Sequence, residues 1–354
     1  MLPLIAGIEG LALSERERAL FARLQPAGYI LFSRNVADEE QLRELTDELR
    51  RLTEGPDAPV IAVDQEGGRV VRTAALGLHL PSAAALAAAG DAHLIRQAAL
   101  YNAAGLHSLG INTVLAPVLD IASPHANALP GRCWGSDAPS VLERAGEWNR
   151  TVSRRCIATC GKHFPGMGAA QCDPHLDLPV LHGDAEAFLA EAALPFLALM
   201  PELPSLMVAH LLIPEMDAEL PSSLSPAVIR DVLRLRLGYE GVVFTDDLCM
   251  GAIAGRYTPE QSVPLALRAG CDLPLLCHGA CEHLEAVAAA VASEVPPELL
   301  AESAERVARF RLHLHSERPM PFMAWREYLQ NASEFCARVP EPAAALPESA
   351  VQRY

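Results

Sequence analysis

The sequence predicts an α/β protein, a single (β/α)8 TIM-type barrel with a C-terminal extension. Eight short apolar runs rich in β-branched residues end at polar residues or glycine. Helix-like stretches with apolar residues three and four positions apart separate these runs, and no GxGxxG motif follows the first run. Such alternation predicts a parallel sheet covered by helices, and eight units favour a closed barrel over an open doubly wound sheet.

The predicted elements follow one another at regular intervals. The strands are LIAGIEG (4–10), YILFSRN (29–35), VIAVDQE (60–66), NTVLAPVLD (112–120), ATCGKHF (158–164), SLMVAH (205–210), GVVFTDD (241–247) and DLPLLCH (272–278). The helices between and after them are expected at 14–24, 39–52, 83–109, 141–156, 185–200, 226–237, 259–269 and 282–292. We expect a catalytic barrel domain over residues 1–315, which ends in a helix-like stretch, and a partly irregular extension over residues 316–354.

The composition excludes several classes of function. The 354 residues carry 44 Asp and Glu against 28 Lys and Arg, a net charge of −16, which argues against nucleic acid or an anionic membrane as a partner. With 51% hydrophobic and 20% charged residues, the chain can bury a large core. No run reaches the roughly 18 uncharged apolar residues of a membrane span.

Cysteine usage and the N-terminal residues bear on the compartment. The nine cysteines are odd in number and have no framework spacing, which fits a reducing compartment. The first apolar run has no basic residues before it and contains Glu9, so it makes a poor signal peptide. We therefore expect a cytoplasmic protein.

Ionisable residues are concentrated where the predicted strands end, and a barrel builds its active site at those ends. Any one strand-end carboxylate commonly caps the following helix, so the convergence of many is the stronger observation. The set comprises Arg34, Asp64, Glu66, Arg72, Asp120, Arg132, Lys162, His163, Asp173, His175, His210, Asp246 and Asp247.

Asp246 ends the very apolar strand VVFT, which would hold its carboxylate at the barrel mouth on a rigid element. This position suits a nucleophile or a group that stabilises a cationic transition state. Asp247 follows directly and, because side chains alternate along a strand, should point elsewhere as a structural residue.

The segment GKHFPGMGAAQCDPHLDLP (161–179) combines a strand end with a loop of small residues. Lys162 and His163 end the strand, and Asp173 and His175 lie two residues apart around Pro174. Proline favours extended geometry in the preceding residue, which lets positions i and i+2 face the same way. Asp173 can then orient His175 and favour its protonated form, which predicts an acid/base on a mobile loop.

A third group lies in VDQEGGRVVR (63–72), where Asp64 ends a strand. The glycine pair after it allows a tight turn that returns Arg69 and Arg72 towards the mouth. Together with Arg132 from LPGRCWGSD, these groups can bind sugar hydroxyls and an amide carbonyl.

These motifs, in this order over about residues 3–280, resemble glycoside hydrolase family 3, in particular its bacterial cytoplasmic β-N-acetylglucosaminidases of the NagZ type, which act in peptidoglycan recycling. The motifs are PLIAGIEG, GYILFSRN, VDQEGGRVVR, INTVLAPVLDI, GRCWGSD, GKHFPGMG with DPH, MVAH with SSLSP, VVFTDDLCM and AGCDLPLLC. The resemblance implies a barrel enzyme that removes terminal N-acetylglucosamine with retention of configuration.

The resemblance also implies roles for individual residues. Asp246 matches the family nucleophile, His175 the family's histidine acid/base and Asp173 its dyad partner. The positions that match the family's sugar-binding residues are Asp64, Arg72, Arg132, Lys162 and His163. Two departures are Met167, where the family usually has a second histidine, and Trp134, where it has phenylalanine.

Alternatives remain open at this point. A phosphorylase could use the same residues, since a histidine acid/base does not repel phosphate as a carboxylate would. A non-catalytic amino-sugar-binding protein and a metal enzyme using the cluster CHGACEH (277–283) are two others, although structural zinc sites usually draw on two separated ligand pairs. We expect no cofactor and no metal, a monomer, and a small amino-sugar substrate, either a muropeptide or a chitin fragment.

Overall fold

Eight parallel strands close into a barrel, which confirms the predicted fold. The computed structural model describes residues 1–53, 58–123, 129–170, 172–312, 314 and 322–341, with the backbone alone for 322–324. The barrel strands, each paired with its sequence neighbours and the last with the first, are β1 (Leu2–Gly7), β2 (Pro26–Leu31), β3 (Val60–Val63), β6 (Thr113–Val114), β7 (Ala158–Phe164), β8 (Ser205–Val208), β9 (Val242–Asp247) and β10 (Leu273–Leu276). Between β3 and β6, the short strands β4 (Gln65–Gly67) and β5 (Val70–Val71) form an antiparallel hairpin.

Helices surround the barrel and connect its strands. They are α1 (Glu15–Leu24), α2 (Glu39–Leu52), α3 (Ala83–Ala89), α4 (Ala92–Ser108), α5 (Ala138–Ser153), α6 (Ala185–Glu191), α7 (Leu194–Leu199), a π-helical segment (Ala227–Arg236), α8 (Gly251–Ala254), α9 (Pro259–Ala269), α10 (Ala280–Glu294), α11 (Pro297–Arg311) and α12 (Phe322–Cys336). No helix in the part of the chain that the structure describes is long and apolar enough to cross a membrane.

Some predicted elements are shorter or interrupted. The helix expected over 83–109 divides at Gly90, which has a φ of +67°, and Asp91 then caps α4 by accepting from the backbone N–H of His93. The strand expected over 112–120 pairs regularly only at Thr113–Val114. Pro117, which has no N–H to donate, stands in the rest of that run.

Side-chain alternation along the strands divides the interior into two layers. One set of buried residues packs between the barrel and its helices. The other fills the barrel itself and includes Ala158 and Cys160 on β7 and Val242 and Phe244 on β9. Since inward side chains recur every second residue, the next inward positions on these strands are Lys162 and Asp246. The register of the barrel core therefore determines which polar side chains reach its mouth.

The N-terminal end of the barrel carries a buried ion cluster. Asp272, directly before β10, is fully buried and accepts from Arg234 NH2 at 2.5 Å, Arg306 Nε at 2.8 Å and the backbone N–H of Val243 at 2.8 Å. Arg306 belongs to α11, whose Phe310 reaches the Phe244 ring inside the barrel at a centroid distance of 6.2 Å. The cluster thus holds α11 against the end of the barrel opposite the strand carboxyl ends.

The helix α12, in the predicted extension, packs against α4. The Tyr328 hydroxyl donates to the Tyr101 carbonyl at 2.5 Å, and a Cβ on Gly105 would lie 2.4 Å from that hydroxyl. At the last described residue, the Glu341 carboxylate accepts from the backbone N–H and the hydroxyl of Ser82, each at 2.7 Å. Two residues of the predicted extension, Tyr328 and Glu341, therefore contact α4 and the start of α3, the helices that follow the β4–β5 hairpin.

Asp272→Asn should destabilise the fold. The amide removes the carboxylate charge that lies between Arg234 and Arg306, and loss of one partner from a buried ion cluster costs about 3 kcal/mol. We expect that decrease in the free energy of unfolding, measured by urea titration. The matched control is Glu302→Gln, which changes an exposed partner of Arg306 at 3.7 Å and should alter stability by less than about 0.5 kcal/mol. Equal effects of the two variants would contradict the assigned role of Asp272.

Candidate active site

A pocket opens at the carboxyl ends of the barrel strands. Its floor is the last apolar layer of the barrel interior, formed by Ile30, Leu115, Met207 and Leu275. Of the predicted site residues, seven line this pocket: Asp64, Arg72, Arg132, Lys162, His163, His175 and Asp246. The eighth, Asp173, lies behind His175 and contacts its ring. The structure thus brings together all the predicted site residues.

One wall is a network of buried ion pairs. The Lys162 ammonium lies 2.6 Å from Asp64 Oδ1 and 2.7 Å from Glu66 Oε1, and the Arg132 guanidinium grips both oxygens of Glu66 at 2.8 Å. Burial opposes the charged form of Glu66, but Arg132 and Lys162 outweigh it and hold the pKa of Glu66 well below its ordinary range. Burial likewise opposes the charge on Lys162, while Asp64 and Glu66 raise its pKa. Glu66, Arg132 and Lys162 are therefore ionised at neutral pH.

His163 is oriented by a buried carboxylate. Asp120 Oδ2 lies 2.6 Å from His163 Nδ1 and also accepts from the His163 backbone N–H at 3.2 Å, while Oδ1 accepts from the Met167 N–H at 2.7 Å. With Nδ1 donating to Asp120, His163 presents Nε2 to the pocket, 3.4 Å from Arg132 NH2. Met167 itself is buried among apolar residues and lines the pocket.

Asp246 lies at the pocket floor, one inward position beyond Phe244 on β9. Its Oδ1 accepts from the backbone N–H of Asp247 at 2.9 Å. Burial raises the pKa of Asp246, but the nearby imidazoles, of which His163 has the largest effect, outweigh burial and bring that pKa below its ordinary value. Asp246 is therefore an ionised carboxylate at neutral pH.

The Asp247 carboxylate accepts hydrogen bonds from backbone N–H groups. Its Oδ1 accepts from the N–H groups of Cys249 at 3.0 Å and Cys277 at 3.1 Å, and its carbonyl lies 2.9 Å from His210 Nε2. Burial lowers the pKa of His210, so this ring is neutral, donates from Nε2 to the carbonyl and accepts from the Ser223 hydroxyl at Nδ1, 2.7 Å away. These bonds fix the backbone next to Asp246.

Asp173 and His175 form a dyad on the loop after β7. The carboxylate Oδ1 lies 2.7 Å from His175 Nδ1 and accepts from the His175 backbone N–H at 3.0 Å. Burial raises the pKa of Asp173, and the two hydrogen bonds from His175 more than offset it, so the pKa is lowered. Asp173 is thus an ionised acceptor that holds the ring with Nε2 turned away from it.

Two arginines pack against the aromatic ring of Phe32, which lines the pocket. The guanidinium carbon of Arg34 lies 4.7 Å from the Phe32 ring centroid and that of Arg72 lies 5.5 Å from it. Arg34 also donates to the carbonyls of Ile8 and Cys277 at 2.9 and 2.6 Å. Arg34 therefore joins strand ends, and Arg72 remains at the pocket, 3.9 Å from Asp64 Oδ2.

Three residues of this site had no assigned role in the sequence analysis. Glu66 and Asp120 were recognised only as strand-end carboxylates, and Phe32 was not considered. The spacing of Asp64 and Glu66, two residues apart, signals a shared face. No comparable signal shows that Asp120 would meet His163, because their contact joins segments that are 43 residues apart in the sequence.

The cluster at 277–283 does not converge. Cys277 lines the pocket, whereas His283 Nδ1 lies 2.7 Å from Glu260 on α9. Across the described ranges, no group of three or more His, Cys, Asp or Glu side chains is arranged to hold a metal ion.

The arrangement defines the class of protein. A strand-end carboxylate under a pocket of fixed hydrogen-bonding groups, with an ionisable group on a loop above it, is the arrangement of a glycoside hydrolase on a (β/α)8 barrel. Residues 4–310 match the family model described as glycosyl hydrolase family 3 N terminal domain. The chain belongs to glycosyl hydrolase family 3.

Named relatives lie close in sequence and structure. The chain is 39% identical over 294 residues to a β-hexosaminidase of Alkalilimnicola ehrlichii, covering 81% of this chain and 82% of that one. A family 3 β-N-acetylglucosaminidase from Paenibacillus sp. FPU-7 superposes with a TM-score of 0.84 at 32% identity, covering 94% of this chain and 67% of that one. NagZ from Neisseria gonorrhoeae, solved with N-trifluoroacetyl-D-glucosamine, superposes with a TM-score of 0.80 at 26% identity, covering 95% and 98%.

Asp247→Asn should stabilise the protein at neutral but not at acidic pH. Burial raises the pKa of Asp247 to about 6, so between about pH 4 and 6 the folded state keeps a proton that the unfolded state has lost. Stability conferred by that proton falls as pH rises through this window. The amide keeps an acceptor oxygen for Cys249 and Cys277 but carries no charge. The variant should therefore gain roughly 3 kcal/mol relative to wild type between pH 4 and pH 7.5.

The measurement is the free energy of unfolding from urea titrations at both pH values. The exposed carboxylate of Asp231, changed to Asn, is the control, and its difference from wild type should be the same at both pH values. A difference for Asp247→Asn that does not change with pH would show that burial does not raise this pKa.

Proposed function

We propose that the protein is a retaining exo-β-N-acetylglucosaminidase that uses Asp246 as nucleophile and His175, paired with Asp173, as acid/base. The observation that carries the proposal is the pocket itself, which has an ionised carboxylate on its floor and a carboxylate-oriented imidazole on its loop side. Two ionisable groups on either side of one sugar site are the minimum that this reaction requires.

Asp246 suits attack on the anomeric carbon. Its pKa is below the ordinary value, so no proton has to leave before it reacts. It stands at the end of a barrel strand whose backbone is bonded to neighbours on both sides, which holds the carboxylate in place.

His175 suits the transfer of one proton in each direction. Because Nδ1 donates to Asp173, the exchangeable proton is the one on Nε2. The same bond keeps Nε2 turned away from Asp173, so that its proton can be given to a leaving oxygen.

The reaction then runs as a double displacement. Asp246 forms a bond to the anomeric carbon as the bond to the aglycone oxygen breaks, and that oxygen takes the Nε2 proton of His175. Water then attacks the anomeric carbon, gives a proton to His175 and releases Asp246 as a carboxylate. Two inversions leave the β configuration unchanged.

The buried network of ion pairs is the proposed binding site for the sugar. Lys162, Arg132 and Arg72 supply fixed donors, Asp64 supplies an acceptor, and His163 presents the nitrogen that Asp120 leaves directed to the pocket. Charged partners of this kind give short, strong hydrogen bonds to hydroxyl and amide groups. The curated relative named β-hexosaminidase and the Neisseria gonorrhoeae complex with N-trifluoroacetyl-D-glucosamine support an N-acetylglucosamine unit as the occupant.

On the aglycone side we propose a muropeptide containing anhydro-N-acetylmuramic acid, handled in the cytoplasm by a monomer during cell-wall recycling. The resemblance of the sequence motifs to the NagZ-type enzymes of peptidoglycan recycling supports this substrate. The test is to compare kcat/KM for N-acetylglucosamine linked to anhydro-N-acetylmuramic acid with kcat/KM for a chitin dimer. A higher value for the chitin dimer would overturn the proposed aglycone.

Asp246→Ala should abolish hydrolysis of an aryl β-N-acetylglucosaminide, and His175→Ala should lower it by about 10²–10⁴-fold. Asp231→Ala and His182→Ala change exposed residues of the same types and should retain wild-type rates. Mass spectrometry of enzyme quenched during turnover should find one N-acetylglucosaminyl unit on the peptide that contains Asp246. Substantial turnover by Asp246→Ala, or a product of inverted configuration, would overturn the nucleophile assignment.

A histidine acid/base also favours testing phosphate as the acceptor, since a neutral imidazole does not repel an incoming anion. Product analysis with and without phosphate separates the reactions. We expect free N-acetylglucosamine in both cases. A sugar phosphate as the main product would make the protein a phosphorylase instead.

A further inference from the structure

The dyad loop is bonded to the short helix that follows the nucleophile strand. The backbone N–H of Gly251 donates to the carbonyl of His175 at 3.2 Å, and the N–H of Ala252 donates to the carbonyl of Pro174 at 3.1 Å. Gly251 and Ala252 are the first two residues of α8, four and five positions after Asp247 in the strand–turn–helix unit. Their N–H groups are among those that a helix cannot pair internally. The loop therefore accepts hydrogen bonds from the unpaired end of α8.

Glycine is the only residue type at position 251 that permits the loop backbone to lie this close to α8. A Cβ at position 251 would lie 2.8 Å from the His175 carbonyl oxygen and 2.7 Å from that of Leu176. Both are backbone atoms, which cannot turn aside as the end of a flexible side chain does. Any other residue would have to push the His175 backbone away from α8.

We propose that Gly251 is a positioning residue for the acid/base, which sets the distance of His175 from Asp246 by letting the loop backbone rest on α8. This inference rests on the proposed function, because it assigns Gly251 to the proton-transfer role of His175. The Asp173 carboxylate controls the rotation and tautomer of the ring, whereas Gly251 and Ala252 control where the backbone beneath it lies.

A change at Gly251 should affect one step of the reaction, the proton transfer by His175. The hydrogen bonds of Asp246 and the ion pairs of Lys162 join these groups to segments other than the dyad loop, so a displaced loop should leave them in position. The rate of protonation of the leaving oxygen should fall. A dinitrophenolate leaves without protonation, whereas an unsubstituted phenolate needs it.

The test is kcat/KM of Gly251→Ala for phenyl and dinitrophenyl β-N-acetylglucosaminides, since this parameter reports the step that cleaves the aglycone. We expect a loss of about tenfold or more on the phenyl substrate and less than about threefold on the dinitrophenyl substrate. An unfolded fraction lowers both values by the same factor, so the ratio of the two is independent of folding yield. Gly10→Ala is the matched control, because its Cβ meets nothing closer than 3.9 Å and the ratio should not change.

A second variant keeps the proposal testable if Gly251→Ala yields no folded protein. Ala252→Pro removes the other donor at the second position of a helix, where a missing N–H breaks no helical bond. It should shift the substrate ratio in the same direction.

The outcomes separate this inference from the proposed function. His175→Ala should show the same preference for the dinitrophenyl substrate, and to a greater degree. If His175→Ala slows both substrates equally, His175 is not the general acid, and both proposals fall. If His175→Ala discriminates and the variants at 251 and 252 do not, the acid assignment stands and the positioning role of Gly251 is overturned.

Discussion

The ammonium of Lys162, buried between two carboxylates, is the interaction around which the site is built. Lys162 occupies an inward position of β7, Asp64 follows β3, and Glu66 lies in the hairpin after it. Arg132 adds a second cation from the segment before α5. Two cations and two carboxylates balance, which is what makes it possible to bury four charged groups at one end of a hydrophobic barrel.

The balance also fits the proposed role of the network in binding a sugar. None of the four groups can move far without leaving a buried charge unpaired, so their remaining hydrogen-bonding positions are fixed before the substrate arrives. A pocket that is organised in this way does not have to order its side chains on binding. The chain's net charge of −16 does not predict this local balance, since it is a sum over the whole sequence.

The barrel could be predicted because its strands are continuous apolar runs, and the inward alternation from Phe244 to Asp246 follows from strand geometry alone. The break at Gly90 was missed because the residues on both sides keep helical spacing, and only the left-handed φ reveals the end of α3. The partners of Glu66 and Asp120 could not be predicted, because each contact joins segments that only barrel closure brings together. The approach of the loop to Gly251 could not be predicted either, because a contact between backbones produces no pattern of side-chain types in the sequence.

The two proposed reacting groups are held in different ways, and the difference fits their roles. Asp246 has to meet the anomeric carbon at one place, and it stands on a strand paired on both sides, with Asp247 and His210 bonding the backbone beside it. His175 has to deliver a proton, allow the aglycone to depart and then activate water, which requires access to the same face of the sugar. Its loop rests on α8 through hydrogen bonds between backbones, and Asp173, the charged partner of His175, lies on the same loop and would stay paired with it if those bonds opened. Displacing such a loop should cost less than displacing a histidine paired with a buried carboxylate on another segment, because the second movement would leave that carboxylate unpaired.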